Sequence, residues 1–175
     1  MFSVGDYVVY GNNGVCKVTD IGPIDCPGVS RDRLYYTMTP CYIRDSSVST
    51  PVDNTKVVLR KIMTKEEAED LINRMDEIDE FKVREEKKRE YEYKSTILSG
   101  DPEEIVGLIK AIYDRIKRRT DSGKKVTSAD SKYFHIAEDS LYGELAISLG
   151  MDKESIKEYI RSKVKTVFSG EQERD

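Results

Sequence analysis

The sequence contains no tryptophan, a single histidine, His135, and only three cysteines, Cys16, Cys26 and Cys41. The cysteines are odd in number and form no CxxC pair, so we expect small buried thiols, not a zinc site or a disulfide framework. Catalysis of the Ser/His/Asp or Cys/His kind would have to use His135, which stands alone in a predicted helix. The sequence therefore predicts no metal, no cofactor and no enzymatic activity.

Long apolar runs are also missing. No window approaches 18 consecutive apolar residues, and no basic segment followed by an apolar one begins the sequence. Neither a membrane span nor an export signal is therefore predicted. Apolar residues make up 38% of the 175 residues and charged residues 35%, which favours small cores beneath much charged helix surface. We expect a cytoplasmic protein.

A general excess of positive charge is absent too, because the formal net charge is -4. The charges are nevertheless unevenly distributed. Residues 61–80 hold three Lys/Arg against eight Asp/Glu, whereas residues 81–125 hold thirteen against nine. A moderately basic block thus lies between acidic ones, which permits a local nucleic-acid contact despite the negative total.

Short runs rich in valine, isoleucine, tyrosine and threonine occupy the first third of the chain, separated by turn-forming stretches such as GNNG. The asparagines and glycines of GNNG tolerate the positive φ angles of a tight hairpin. Many short strands in so few residues suit a small, strongly bent barrel better than a flat sheet. The predicted strands are residues 7–10, 15–21, 33–39, 48–52 and 57–62.

After Thr64 the spacing of apolar residues changes from two to about 3.6, which predicts helices. Thr64 and Glu67 form a predicted capping box at the first helix, and Asp101 is the predicted N-cap of a later one. Further helices are predicted over residues 82–100, 128–149 and 153–168. The sequence therefore predicts two domains, a β-rich domain over residues 1–62 and an all-α helical bundle over 63–168, followed by a frayed tail at 169–175.

Basic side chains with an interleaved tyrosine form a candidate DNA surface in the second domain. Lys and Arg neutralise phosphates, and a tyrosine among them stacks on a sugar or base. Arg84, Lys87, Tyr91 and Lys94 are predicted to share one helical face. Glutamates in the same helix and the helix dipole offer a second explanation, a solvated surface. The candidate DNA-contacting residues are Arg84, Lys87, Lys88, Arg89, Tyr91, Lys94, Arg118, Arg119, Lys124 and Lys125.

Five stretches of the sequence carry a family resemblance. The stretches FSVGDYVVYGNNGVCKVTDI, YYTM and VSTPVDNTKVVLRKIMTKEEAEDLI follow one another, and YKSTILSGDPEEIVGLIKAIYDR and AEDSLYGELAISLGM come later. In this order they resemble the CarD/CdnL family of bacterial RNA polymerase-binding transcription regulators. The N-terminal part is similar to the module that the family shares with transcription-repair coupling factor. The resemblance extends over roughly residues 2–168.

The resemblance implies an α+β protein of two domains, a small Tudor/SH3-like β-barrel followed by an all-α helical bundle. It also implies that a barrel strand pairs with a sheet of the RNA polymerase β subunit, since exposed strand edges accept partner strands. The helical domain would contact double-stranded promoter DNA and stabilise the open complex, as expected of a nucleoid-associated protein. The segment that matches the docking strand comprises Ser46, Ser47, Val48, Ser49, Thr50, Pro51 and Val52.

The chain departs from the family at one point that matters. Members commonly carry a tryptophan ahead of a basic run, where it wedges into the DNA minor groove, and the matching position here is Glu86 or Lys87. Either Tyr91 or Tyr93 replaces the wedge, or the protein holds DNA mainly through phosphates. Ser49 and Thr50 also stand where many members carry a basic residue. Two other functions stay open: a polymerase-docking adaptor whose helices bind another protein, and an RNA-binding barrel of the ribosomal kind.

Overall fold

Residues 1–30 and 32–164 are described in the computed structural model. They fall into two units that divide between Ile62 and Met63, of which the first holds all the described strands and the second all the described α-helices. The predicted tail at 169–175 and residues 165–168 of the last predicted helix lie outside the described residues.

The first unit is a five-stranded antiparallel sheet. Its strand order is β4-β3-β2-β1-β5, so β4 and β5 are the two edges. No pairing joins these edges within the described part of the chain, so the sheet is open where the sequence predicted a barrel. The strands are β1 Tyr7–Tyr10, β2 Val15–Gly22, β3 Tyr35–Pro40, β4 Val48–Pro51 and β5 Leu59–Lys61.

One face of the sheet carries the small core of this unit, which includes Val8, Val18, Tyr36 and Met38. Cys16 is buried with them, and burial raises the pKa of its thiol to about 12. The other two cysteines are exposed, so the expectation of buried thiols is wrong for both. Both lie outside the strands, where side chains do not alternate between the core and the surface. The spacing of the cysteines does not predict this exposure.

The second unit contains five α-helices in its described part. Threonine and aspartate side chains cap the N-termini of four of them, and the capping box of Thr64 and Glu67 and the N-cap Asp101 are confirmed. Helix α4 packs against each of the other four, and its buried apolar residues belong to the core that they share. The helices are α1 Lys65–Arg74, α2 Arg89–Ser99, α3 Pro102–Asp121, α4 Ser128–Leu149 and α5 Lys153–Lys163.

The helix predicted over 82–100 begins later than expected, at Arg89, after a 3-10 turn over Glu86–Lys88. The cause is Glu92, whose carboxylate accepts hydrogen bonds from the backbone N–H groups of Arg84 (2.9 Å) and Glu85 (3.0 Å). These bonds fold the preceding segment back on the helix instead of continuing it. The last helix also ends early, at Lys163, before extended backbone at residue 164.

A glycine in α3 allows the segment that follows α1 to lie directly on that helix. A Cβ atom at Gly107 would come within 2.7 Å of the Asp79 carbonyl oxygen. The Phe81 N–H donates to the Gly107 carbonyl at 3.0 Å. The buried Lys110 ammonium donates to the Ile78 carbonyl at 2.6 Å, one helical turn further on. Helix α3 thereby fixes the path of the chain between α1 and α2.

Candidate docking edge and nucleic-acid interface

Strand β4 is the first candidate site, because it pairs only with β3 among the described strands. Thr50 faces the core and is 2% exposed, whereas Ser49 is exposed. Of the seven predicted docking residues, Val48–Pro51 form the strand itself. The two serines at 46 and 47 precede it, and the valine at 52 follows it.

The outer edge of β4 presents backbone groups for pairing. The Val52 N–H donates to the Leu34 carbonyl at 3.0 Å, so residue 52 points toward β3. In an antiparallel pair the direction alternates, which turns the backbone groups of Ser49 and Pro51 outward. Proline has no N–H to leave unpaired, a common device on edge strands. The Ser49 N–H and the two outward carbonyls are therefore available to a partner strand.

An ion pair lies at the C-terminal end of β4. The Arg33 guanidinium donates to the Asp53 carboxylate, with Nη2 to Oδ1 at 2.8 Å. This hydrogen bond holds the pKa of Asp53 below its ordinary value and raises the pKa of Arg33. Both side chains are exposed, so the pair orients the end of β4 more than it stabilises the sheet.

The second candidate site is the segment we call the basic turn, Glu86–Lys88. Lys87 and Lys88 are exposed there, and Lys88 pairs with Glu85 at 2.9 Å. The prediction that Arg84, Lys87, Tyr91 and Lys94 share one helical face is wrong, since the first two precede the helix. Arg84 is exposed in the folded-back segment, and Lys94 is exposed on α2.

Arg89, predicted to contact DNA, is instead largely inside the helical unit. Its side chain is 15% exposed, and its Nε lies 3.4 Å from Oδ1 of Asp130. The same guanidinium forms an ion pair with Glu86. Arg115 of α3 contacts the same two carboxylates, at 3.1 Å to Asp130 and 2.7 Å to Glu86. We call these four side chains the Asp130 network.

The remaining predicted cations lie at the C-terminal end of α3 and in the turn that follows. Arg118 and Arg119 occupy its last turn, and Lys124 and Lys125 are exposed beyond it. The Arg119 Nε donates to the Lys125 carbonyl at 2.9 Å, which draws the turn against the helix. We call this group the α3 corner. Because Arg115 lies one helical turn before Arg119 and contacts the basic turn through Glu86, the two basic groups are neighbours.

The two tyrosines considered as wedges have opposite environments. Tyr91 is 71% exposed, whereas Tyr93 is 1% exposed and packs at the centre of the helical core. The Tyr93 hydroxyl donates to Asp130 at 3.4 Å, and burial raises its pKa to about 12. Tyr93 is therefore a core residue, and only Tyr91 of the two is accessible to a ligand.

Nothing in the helical periodicity pointed to the Asp130 network, because Arg115 and Asp130 are far along the chain from the neighbouring Glu86 and Arg89. One local signal was present: Thr127 and Asp130 have the spacing of a helix cap. The Thr127 hydroxyl indeed accepts the Asp130 N–H at 3.1 Å and donates to its Oδ2 at 2.7 Å. The spacing locates the aspartate in the first turn of α4, but only packing brings the two arginines to it.

Neither metal clusters nor membrane helices are found in the described ranges. No group of three or more His, Cys, Asp or Glu side chains in residues 1–30 and 32–164 is arranged to hold a metal ion. Over the same residues no helix is long and apolar enough to cross a membrane. His135 is exposed on α4, beside the ring of Phe134.

An antiparallel sheet with an accessible edge strand and a helical unit with a basic corner are features of interaction proteins. Comparison with protein families gives this class a name: residues 2–63 match the family model described as the CarD-like/TRCF RID domain. The match covers the N-terminal unit, and the resemblance is confirmed for that part of the chain; the family is one of interaction domains and not of catalytic ones. A search among curated proteins finds no match.

Proposed function

We propose that this protein is a bacterial regulator of transcription initiation of the CarD/CdnL kind. Its Tudor-like N-terminal unit docks on the β subunit of RNA polymerase through β4. Its helical unit contacts double-stranded promoter DNA and stabilises the open complex, without catalysis and without a cofactor. The protein acts in the cytoplasm, on the nucleoid. The observation that carries the proposal is the family match over residues 2–63, in which the expected docking strand is an edge of the sheet.

The docking half of the proposal is supported by the chemistry of β4. Strand addition needs a row of outward backbone groups, and β4 offers the Ser49 N–H flanked by carbonyls. It needs an edge that charged side chains do not block, and the side chains of Val48–Pro51 are uncharged. The absence of a basic residue at positions 49 and 50 leaves backbone pairing as the main source of affinity.

The DNA half is supported by the proximity of the basic turn and the α3 corner. Their exposed side chains, Lys87, Lys88, Arg118, Lys124 and Lys125, belong to segments that the Glu86–Arg115 contact joins. A surface of this kind binds phosphates without sequence preference and is sensitive to salt. Arg89 is not part of it, because its guanidinium is engaged with carboxylates.

Tyr91 is the residue that we assign to the position of the missing wedge. It is the exposed one of the two tyrosines and lies on α2 shortly after the basic turn. An aromatic ring inserts at a base step, whereas the Glu86 carboxylate carries the same sign of charge as the phosphates and is held by two arginines. The wedge is therefore displaced along the chain relative to the family pattern.

A pair of proline variants tests the docking edge. Ser49→Pro removes the outward N–H of β4 and leaves the backbone hydrogen bonds to β3 in place. Lys61→Pro is the matched control, since the neighbouring Ile62 N–H donates inward to Tyr7, which turns residue 61 outward on the opposite edge, β5. In co-purification with the cognate polymerase we expect Ser49→Pro to abolish binding and Lys61→Pro to retain it.

The outcomes separate the competing functions. Full binding by a folded Ser49→Pro variant would contradict strand pairing. Loss of binding together with intact duplex binding by the same variant supports the two-site regulator. Polymerase binding without any duplex binding would favour the adaptor, whose helices bind another protein, and RNA binding by the β-rich unit would favour the ribosomal type of barrel.

A further inference from the structure

We propose that Asp130 is a positioning residue for DNA contact, and that it holds the basic turn in place through Arg89, Arg115 and Glu86. This inference rests on the proposed DNA contact and deepens it. It assigns Arg89 and Arg115 an internal role, so that within the basic turn phosphate contact falls to the two lysines.

Asp130 is the buried anchor of the arrangement, with 0% exposure. Its Oδ2 accepts from Arg115 Nε at 3.1 Å and from the Thr127 hydroxyl at 2.7 Å. Its Oδ1 lies 3.4 Å from Arg89 Nε and accepts from the Tyr93 hydroxyl at 3.4 Å. A buried carboxylate requires such partners, and removing its charge leaves the cations around it uncompensated.

Glu86 connects this buried anchor to the surface. It is the first residue of the basic turn, and its Oε1 accepts from Arg115 Nη2 at 2.7 Å and from Arg89. Each arginine thus bridges one buried and one exposed carboxylate. The turn has only three residues, so fixing Glu86 fixes the backbone of Lys87 and Lys88 as well.

The inference predicts that removing a carboxylate weakens DNA binding, which is opposite to what simple electrostatics predicts. Removing a negative charge near a DNA-binding surface strengthens phosphate attraction if nothing moves. If Asp130 or Glu86 positions the basic turn, removing its charge releases Arg89 and Arg115 and displaces the lysines, so binding weakens. The direction of the change therefore distinguishes a positioning residue from a charge that only opposes the phosphates.

The test uses the full-length chain and a fluorescent promoter-length duplex, with binding measured by anisotropy across a salt series. Asp130→Asn removes the anchor, and Glu86→Gln breaks the same ion pairs at an exposed side chain, so it remains informative if the buried substitution does not fold. Asp121→Asn is the matched control, because it removes an exposed carboxylate at the end of α3. Circular dichroism melts establish that each variant is folded at the assay temperature.

We expect both network variants to bind the duplex more weakly than the wild type. For each phosphate that the displaced lysines no longer neutralise, the plot of log affinity against log salt concentration should become shallower by about 0.9. At 0.1 M salt, relative to 1 M, this corresponds to a rise in Kd of about 8-fold. Asp121→Asn should bind as tightly as the wild type or more tightly. A merely structural role lowers the melting temperature and leaves the salt slope of the folded protein unchanged.

Two results would overturn the inference. Unchanged or tighter binding by folded Asp130→Asn and Glu86→Gln, with the wild-type slope, would show that the network does not position the turn. Absence of duplex binding by the wild type would refute the proposed DNA contact, and this inference with it. The wild-type measurement therefore separates the two failures.

Discussion

Replacing the two lysines of the basic turn should weaken DNA binding and reduce its dependence on salt. Each Lys that neutralises a phosphate releases about 0.9 of a counterion, so Lys87→Gln/Lys88→Gln should make the plot of log affinity against log salt shallower by about 1.8. At 0.1 M salt, relative to 1 M, this corresponds to at most about a 60-fold rise in Kd, or about 2.4 kcal/mol.

The structure lowers that upper limit. Lys88 already pairs with Glu85 at 2.9 Å, and both side chains are about 60% exposed. Such a surface pair is worth about 0–1 kcal/mol, which phosphate binding would have to replace. We therefore expect a rise in Kd of about 10- to 60-fold at 0.1 M salt that disappears as the salt concentration approaches 1 M.

Fluorescence anisotropy measures both the Kd and its dependence on salt concentration. A duplex of about 30 base pairs is long enough, because it spans several helical turns of phosphates. Lys56→Gln/Lys65→Gln provides the control, because it makes the same change of charge at exposed positions outside the basic turn. The control should keep the wild-type slope. Equal slopes for the wild type and the Lys87/Lys88 variant would refute phosphate contact by the basic turn.

Two further predictions concern the elements that carry this turn. Gly107→Ala should destabilise the chain in urea unfolding, because crowding against the Asp79 carbonyl costs about 1–3 kcal/mol and exceeds the gain of about 1 kcal/mol in helix propensity. Increased stability would contradict the packing described. Glu92→Gln should lower the melting temperature at pH 7, because the N–H groups of Arg84 and Glu85 hold the pKa of Glu92 below its ordinary 4.5. That stabilisation is fully present well above pH 4.5 and is lost as the pH falls through the lowered pKa, so melting curves of variant and wild type should converge in acid. A difference that does not depend on pH would exclude the carboxylate as its source.

Much of the fold was predictable because it follows from local patterns. The strand over 48–51 was visible in VSTPV, and the first and third helices were visible in their caps at Thr64 and Asp101. These signals lie within a few residues of the element that they begin, so they survive without tertiary information.

What could not be predicted depends on contacts between distant residues. The start of α2 was misplaced because Glu92 reaches back to bond Arg84, which no helical period reveals. Arg89 was predicted as a surface cation because the sequence pattern around it does not reveal its partner Asp130. That residue is 41 positions further along the chain and fully buried. An open sheet and a barrel also share the same strand pattern, and only pairing between the edges separates them.

The lifetime of the polymerase–promoter open complex tests the central claim most directly. It should be measured with cognate polymerase on a ribosomal-type promoter, after addition of a competitor, with the wild type, Ser49→Pro and Lys87→Gln/Lys88→Gln. The proposal predicts a longer lifetime with the wild type and no extension with either variant, the first because it does not dock and the second because it does not hold DNA. An unchanged lifetime with wild-type protein bound to the polymerase would contradict it.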